Sequence, residues 1–169
     1  LCEILEEIFE KGEKVVIFTS FKKMIDMLCN DIKQRYGVYV NYIDGSVPAK
    51  ERQLTIDEFG TVVGAGALVL NPKAAGAGLN ITCANHAIHY NLEWNPAVED
   101  QASARVFRRG QEKTVFVHRL YYVDTIEEII NEKIQNKRIL SDNAIIGNTG
   151  STTDQEYLIK ALSASPYKH

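Results

Sequence analysis

The sequence predicts an open, parallel α/β sheet with helices on both faces. Short apolar runs alternate with segments in which apolar residues recur at helical spacing. The apolar runs do not alternate with polar residues as a half-exposed strand would, so we expect both faces of each strand to be covered. Repeated strand-then-helix units are typical of a parallel sheet with crossover helices. With 169 residues, 45% of them hydrophobic, the chain can form one domain with its own core.

The first half of the chain contains three predicted helices and two strands. Helical spacing, with Gly12 and Gly37 as stops and Thr19 or Ser20 as the cap of the second helix, predicts helices at 1–12, 20–37 and 47–59. Apolar runs predict strands at 14–18 and 38–43. Asp44 and Gly45 are expected to form a turn.

The second half repeats the pattern and then changes character. Apolar runs predict strands at 67–70, 86–90 and 114–120. Asn95 is the expected cap of a helix with Pro96 at its first position, and Thr125 with Glu128 predicts a capping box before a helix reaching about 140. A linker at 141–154 and a short helix at 155–163 follow. We therefore predict a domain at 1–141, with 142–169 as linker and terminal helix.

Composition and scattered reactive residues exclude several classes of protein. The net charge of −3 argues against a general polyanion-binding surface. No run of about 18 apolar residues suggests a membrane span, and the start at Leu1 suggests a piece of a longer protein. Three distant cysteines are expected to be reduced. His86 and His89 lie on a predicted strand, where they would point to opposite faces, so we predict no metal site.

The segment after the third strand is a candidate phosphate-binding loop. In open parallel sheets, ligands bind beyond the carboxyl ends of the strands. Gly76 and Gly78 would allow the backbone to approach a phosphate closely, and Lys73 would add a positive charge. The alternative is that these glycines only permit tight packing. The chain has no GxGxxG fingerprint, no GxxxxGK[ST] loop and no DExH element, so it cannot hold a triphosphate and Mg²⁺ by the usual P-loop route.

Three polar residues after Pro96 suggest the second half of an active site. If the helix continues, Gln101, Arg105 and Arg108 fall within about 60° of one another on it. Two guanidinium groups one turn apart repel each other unless an anion lies between them, and a phosphate on a facing domain would be such an anion. A solvated surface without a ligand is the alternative.

Five stretches resemble a known family, in order and in spacing. The family is that of the SWI/SNF-type ATPases: "WNPAVEDQASARVFRRGQ" (94–111) resembles its motif VI, "LNPKAAGAGLNIT" (70–82) its motif V and "VVIFTSF" (15–21) its motif IV. In addition, "IDGSVPAKERQLTIDEF" (43–59) resembles its DGS-to-ER segment and "TIEEIINEKIQNK" (125–137) its TIEE helix. The agreement spans about residues 3–140, and 155–163 resembles a helix that often closes bacterial members. The sequence departs from the family at four places: Ala75, Asn71-Pro72, Ala104 and Phe107.

The resemblance implies the second RecA-like lobe of a superfamily 2 DNA translocase. ATP and Mg²⁺ would be held mainly by a first RecA-like lobe of the same polypeptide, with Arg105 contacting the γ-phosphate and Arg108 acting as the arginine finger. Gln101 and Gly76 would line the nucleotide cleft. The residues expected to face the backbone of double-stranded DNA are Thr19, Ser20, Phe21, Lys73, Gly78 and Asn80. This chain alone would hydrolyse no ATP.

The resemblance also implies where such a protein acts, and it leaves other functions open. It implies a cytoplasmic, DNA-associated bacterial protein, and a polymerase or nucleoprotein remains open as a further partner. One alternative is a catalytically degenerate RecA-like lobe that serves as a binding or regulatory module. A second is a dinucleotide or nucleotide-sugar enzyme on a Rossmann-like sheet.

Overall fold

The predicted parallel sheet is confirmed. The computed structural model describes residues 1–75 and 78–143, with the backbone alone at 75 and 137–143. Five parallel strands form one sheet in the order β2-β3-β1-β4-β5. The strands are β1 (Lys14–Phe18), β2 (Tyr39–Ile43), β3 (Gly66–Leu70), β4 (His86–His89) and β5 (Phe116–Arg119). The central strand β1 pairs with β3 on one side and β4 on the other. All five carboxyl ends therefore lie at one edge.

Six helices connect or flank the strands in the described part of the chain. They are α1 (Cys2–Glu10), α2 (Lys22–Tyr36), α3 (Ala49–Thr61), α4 (Pro72–Ala75), α5 (Pro96–Ser103) and α6 (Ile126–Asn143). The short helix α4 was not predicted. It begins directly after β3, where Pro72 supplies the fixed φ angle of a first helical position. Helix α6 continues to Asn143, three residues beyond its predicted end near 140, whereas the predicted helix at 155–163 and most of the predicted linker lie outside the described residues.

Two apolar layers cover the two faces of the sheet. Val15 and Ile17 of β1 face α1 and α2, whereas Val16 and Phe18 face the opposite layer. That second layer includes residues of α3, α5 and the 79–84 segment, namely Ile56, Phe59, Leu79, Ile81, Ala84 and Ala102. Alternate side chains of a strand point to opposite faces, so burial on both sides explains the apolar runs of β1, β3 and β4. The expectation that every strand is covered on both faces was wrong for the edge strands, since β2 is partly exposed and β5 exposes Phe116 and Val117.

His86 and His89 lie on opposite faces of β4, as their spacing predicts. His86 is hydrogen-bonded to Glu13, with 2.7 Å between Nε2 and Oε2, and to His118, with 3.3 Å between the ring nitrogens. His89 lies on the other face, where it stacks on Phe18 and where its Nε2 lies 2.8 Å from the hydroxyl of Ser103. Both are satisfied structural histidines.

Helix α5 begins as predicted, but α2 does not. The side chain of Asn95 accepts a hydrogen bond from the backbone N–H of Ala97, and Pro96 occupies the first turn. Phe21, rather than Thr19 or Ser20, is the N-cap of α2, and it makes no side-chain capping bond. The prediction was wrong because the two hydroxyl groups donate instead to the loop that follows β4.

Candidate functional site

Loops after β1 and β4 are joined by hydrogen bonds at the carboxyl edge of the sheet. The hydroxyl of Thr19 donates to Asn91 Oδ1 at 2.8 Å, and the backbone N–H of Ser20 donates to the same oxygen at 3.2 Å. The hydroxyl of Ser20 donates to the side chain of Glu93. Thr19 is buried, Ser20 is partly exposed and Phe21 has 61% of its surface exposed. Only part of this predicted DNA-facing set is therefore accessible.

Lys73 joins the same edge through Asn71. The side-chain amide of Asn71 donates to the carbonyl of Ser20 at 3.4 Å, and its oxygen accepts the backbone N–H of Lys73 at 3.0 Å. The side chain of Lys73 is exposed. Four of the predicted DNA-facing residues, Thr19, Ser20, Phe21 and Lys73, thus lie in two adjoining segments, the loop after β1 and the start of α4.

Gly78 and Asn80 lie in a different neighbourhood, beside Arg108. One guanidinium nitrogen of Arg108 donates to the carbonyls of Gly78 and Leu79, both at 3.2 Å. Gly78 has a φ of 81°, which a side chain would strain, so glycine is favoured here. Asn80 is exposed. Gly76, the other predicted nucleotide residue of this segment, lies outside the described residues.

Arg105 and Arg108 do not lie on helix α5, which corrects the predicted arrangement. Helix α5 ends at Ser103, and both arginines lie in the turns that follow. The helix stops because the carbonyl of Arg105 accepts the backbone N–H of Ile81 at 2.9 Å, which places the chain against the 78–81 segment. Gln101 is exposed on α5 itself. The three residues are close in sequence, but no single helical face presents them.

The two guanidinium groups have no carboxylate partner among the described side chains. Arg108 is exposed, and its described contacts are the two backbone carbonyls. Arg105 is partly buried, and its Nε atom has no hydrogen-bond partner in the described part of the structure. A buried donor without an acceptor is costly.

Gln111 fixes the turn that carries the arginines. Its amide nitrogen donates to the carbonyls of Ala84 at 2.7 Å and Thr82 at 3.2 Å, with a longer contact of 3.4 Å to Val106. Its oxygen accepts the backbone N–H of Lys113 at 2.9 Å. One side chain therefore holds the turn at 104–111 against the segment that leads into β4.

Residue Glu99 is a fully buried carboxylate at the start of α5. Its Oε2 lies 2.9 Å from Arg119 Nη2, and its Oε1 accepts the backbone N–H of Glu93 at 3.0 Å. Its exposed fraction is 0%, and that of the Arg119 side chain is 13%. A buried charge persists only when it is paired and hydrogen-bonded, so Glu99 fixes the position of α5 against β5 and the 91–95 loop.

Three further titratable groups have pKa values shifted by contacts within the domain. Hydrogen bonding to His86 lowers the pKa of Glu13, and burial, followed by the nearby His86, lowers the pKa of His118. At the carboxyl edge, a hydrogen bond from the Ser46 hydroxyl lowers the pKa of Asp44, which also lies 3.4 Å from the ammonium group of Lys22. Over residues 1–75 and 78–143, no three His, Cys, Asp or Glu residues are grouped as metal ligands would be.

Asn91, Glu93, Glu99 and Gln111 were not among the predicted site residues, although Glu99 and Gln111 lie within the 94–111 stretch that resembles motif VI. A signal for the first two was available, because residues 91–95 directly follow β4, and loops at the carboxyl ends of parallel strands are where ligands bind.

The described helices include none that is long and apolar enough to cross a membrane.

Comparison with known proteins identifies the family. Residues 1–110 match the helicase conserved C-terminal domain. The protein YwqA of Bacillus subtilis (strain 168) is 39% identical over 145 residues, which are 86% of this chain and 16% of YwqA. The chain therefore spans less than a fifth of that relative.

Two solved structures share the fold at substantial identity. The C-terminal part of the Fun30 ATPase domain is 29% identical with a TM-score of 0.74, covering 93% of this chain and 48% of that one. The SWI2/SNF2 ATPase core of Sulfolobus solfataricus in complex with dsDNA is 38% identical with a TM-score of 0.66, covering 82% of this chain and 29% of that one. The chain belongs to the helicase conserved C-terminal domain family and is a RecA-like lobe of the SWI2/SNF2 type.

Proposed function

We propose that this chain is the second motor lobe of a DNA-dependent ATPase that moves along double-stranded DNA. In this proposal, Arg105 and Arg108 reach a nucleotide held mainly by a first lobe of the same polypeptide, and Gln101 lines the same cleft. The observation that carries the proposal is the pair of guanidinium groups without a carboxylate partner among the described residues. The dsDNA in the Sulfolobus complex supports nucleic acid as the second ligand.

The mechanism follows from charge and geometry. Mg²⁺-ATP, bound mainly by the first lobe, supplies the phosphoryl group that is transferred to water. Arg105 and Arg108 stabilise the charge that develops on the phosphoryl oxygens, and they do so only when the two lobes close. The carbonyls of Gly78 and Leu79 hold Arg108 in place, so contacts made by the 78–81 segment also affect the position of that guanidinium.

DNA contacts favour the closed arrangement by population shift. Ser20, Phe21, Lys73, Gly78 and Asn80 contact phosphates rather than bases in this proposal, so binding has little sequence preference. A ligand that binds the closed state more tightly raises its population, and DNA therefore stimulates hydrolysis. Repeated closing moves the two lobes along the DNA.

The decisive experiment is Arg108→Ala in the full-length protein. We expect kcat for DNA-stimulated ATP hydrolysis to fall by roughly 10³-fold, as for other arginine fingers, with a much smaller change in ATP affinity. Arg109→Ala is the matched control, because Arg109 is the exposed neighbouring arginine and should leave turnover near wild type. Near-normal turnover in Arg108→Ala would remove the assignment, and ATP hydrolysis by this 169-residue chain alone would show that a complete site had been overlooked.

A catalytically degenerate binding module is the second candidate. The bonds from Arg108 to its own domain's carbonyls favour it, because they give that side chain a structural role without any nucleotide. The same measurement separates the two functions. A full-length protein that binds DNA but hydrolyses no ATP, with or without DNA, would support the module.

A further inference from the structure

Glu93 contacts two different parts of the site through two different groups. Its side chain accepts the hydroxyl proton of Ser20, in the loop proposed to face DNA. Its backbone N–H donates to the buried carboxylate of Glu99 at 3.0 Å. Glu93 itself is only partly buried. A displacement of the Glu93 side chain can therefore affect Glu99, because the backbone of the same residue is hydrogen-bonded to Glu99.

Helix α5 connects Glu99 to the arginine turn. Glu99 lies on α5, is fully buried and pairs with Arg119 at 2.9 Å, so displacing it is costly. The backbone N–H of Arg105 donates to the carbonyl of Ala102 at 3.1 Å, directly after the end of α5. A shift of α5 driven through Glu99 therefore moves Arg105.

Phosphate and Glu93 compete for the same proton. A serine hydroxyl has one hydrogen to donate. If Ser20 donates it to a DNA phosphate, the Glu93 carboxylate loses that donor and is left beside a second negative charge. The phosphate and the Glu93 carboxylate, both hydrogen-bonding neighbours of one hydroxyl, would repel each other, and the repulsion is stronger where water is partly excluded. Phosphate contact at Ser20 therefore displaces the side chain of Glu93.

We propose that Glu93 is a positioning residue that couples phosphate contact at Ser20 to the placement of Arg105, through Glu99 and α5. This inference rests on the proposed function, since it needs DNA at Ser20 and a nucleotide at Arg105. Without DNA, the Ser20–Glu93 bond holds the 91–95 loop and α5 in the arrangement described here. With DNA, the bond is exchanged for one to phosphate, and the backbone N–H of Glu93 shifts with its side chain, so that Glu99, its hydrogen-bond acceptor, and α5 shift as well.

The first test is Glu93→Ala in the full-length protein. ATP turnover is measured with and without double-stranded DNA, and DNA affinity is measured separately. We expect the ratio of stimulated to unstimulated kcat to fall at least about fivefold, the lower end of usual coupling between sites. DNA affinity should be unchanged or tighter, because a negative charge is removed and Ser20 is freed. Damage to the fold would instead weaken both properties.

Conservative and combined variants sharpen the test. Glu93→Gln still accepts the Ser20 hydroxyl but carries no charge for phosphate to repel, so its turnover without DNA should stay within about twofold of wild type, whereas Glu93→Ala should raise that turnover. In a Ser20→Ala background, Glu93→Ala should have little further effect on the ratio, because the two residues act through one bond. Glu58→Ala, an exposed carboxylate on α3, is the control. Glu93→Met replaces Glu93→Ala if the latter does not fold.

Three results would overturn the inference. They are an unchanged ratio in Glu93→Ala, an equal effect of that change in the Ser20→Ala background, and a turnover without DNA that rises as far in Glu93→Gln as in Glu93→Ala. In each case, DNA-stimulated turnover by the wild type would leave the proposed function standing. If the wild-type protein showed no DNA-stimulated ATP turnover, both the proposed function and the role of Glu93 would be refuted.

Discussion

Replacing Gln111 tests how the arginine turn is held in place. In Gln111→Ala, the carbonyls of Ala84 and Thr82 lose their amide donor, and the backbone N–H of Lys113 loses its acceptor. Each hydrogen bond contributes about 1 kcal/mol net. Lys113 is exposed, so its N–H can bind water instead. The expected loss in the free energy of unfolding is therefore about 2–3 kcal/mol.

Thermal unfolding measures this loss directly. For a chain of 169 residues, each kcal/mol shifts Tm by about 2–4 °C, so Gln111→Ala should lower Tm by roughly 5–10 °C. Gln111→Glu should lower it further at neutral pH, because a carboxylate would then face backbone carbonyls. Gln101→Ala is the matched control: Gln101 is an exposed glutamine on the preceding helix, and its replacement should leave Tm unchanged.

Two outcomes would refute this reasoning. A Tm for Gln111→Ala within about 1 °C of wild type would mean that water replaces the amide without cost, contrary to the usual penalty for lost donors. A Gln111→Glu variant as stable as Gln111→Ala would mean that the carbonyls do not face the side chain in solution. Either result would also mean that Gln111 does not hold the 104–111 turn, which carries Arg105 and Arg108, in the position described here.

Two further predictions concern the core and its response to acid. Since burial and His86 lower the pKa of His118, the unfolded chain takes up a proton below its ordinary value of 6.5 while the folded chain resists it. Stability should therefore fall as the pH drops below 6.5, and the fall in Tm between pH 7.5 and 5.5 should be smaller in His118→Gln; an equal fall would contradict this. Gly66→Ala should lower stability by about 1–3 kcal/mol in denaturant unfolding, because its new Cβ would lie 3.1 Å from the ring of Phe59; no loss would show that the ring moves freely.

Much of the fold could be predicted from the sequence because local and global signals agree. Apolar runs without polar alternation predicted buried parallel strands, and all five strands are found, although the edge strands β2 and β5 are partly exposed. Asn95 and Pro96 predicted the start of α5 because capping is a local interaction. The odd spacing of His86 and His89 placed them on opposite faces, since strand geometry alone determines that.

The misses arose where long-range contacts override local preference. Thr19 and Ser20 are good helix caps in isolation, but Asn91 and Glu93 bind their hydroxyls across more than 70 residues of sequence. Helical spacing past Ser103 suggested a longer α5, but the pairing of Arg105 with Ile81 ends it. The sequence could indicate that residues 91–95 lie at the carboxyl edge of the sheet, but not which side chains they contact. The roles of Arg105 and Arg108 stay predictions, and their lack of a described carboxylate partner is compatible with them.

Trp94 is the chain's one tryptophan, and it lies between Glu93 and Asn95 in the loop that links the two halves of the site. The ammonium group of Lys133 on α6 lies 4.0 Å from the centre of its indole ring. Indole emission responds to a nearby cation and to solvent. The lobe thus contains an intrinsic optical reporter at the point where the loop, α5 and α6 meet, and its spectrum should record any rearrangement of that junction without an attached dye.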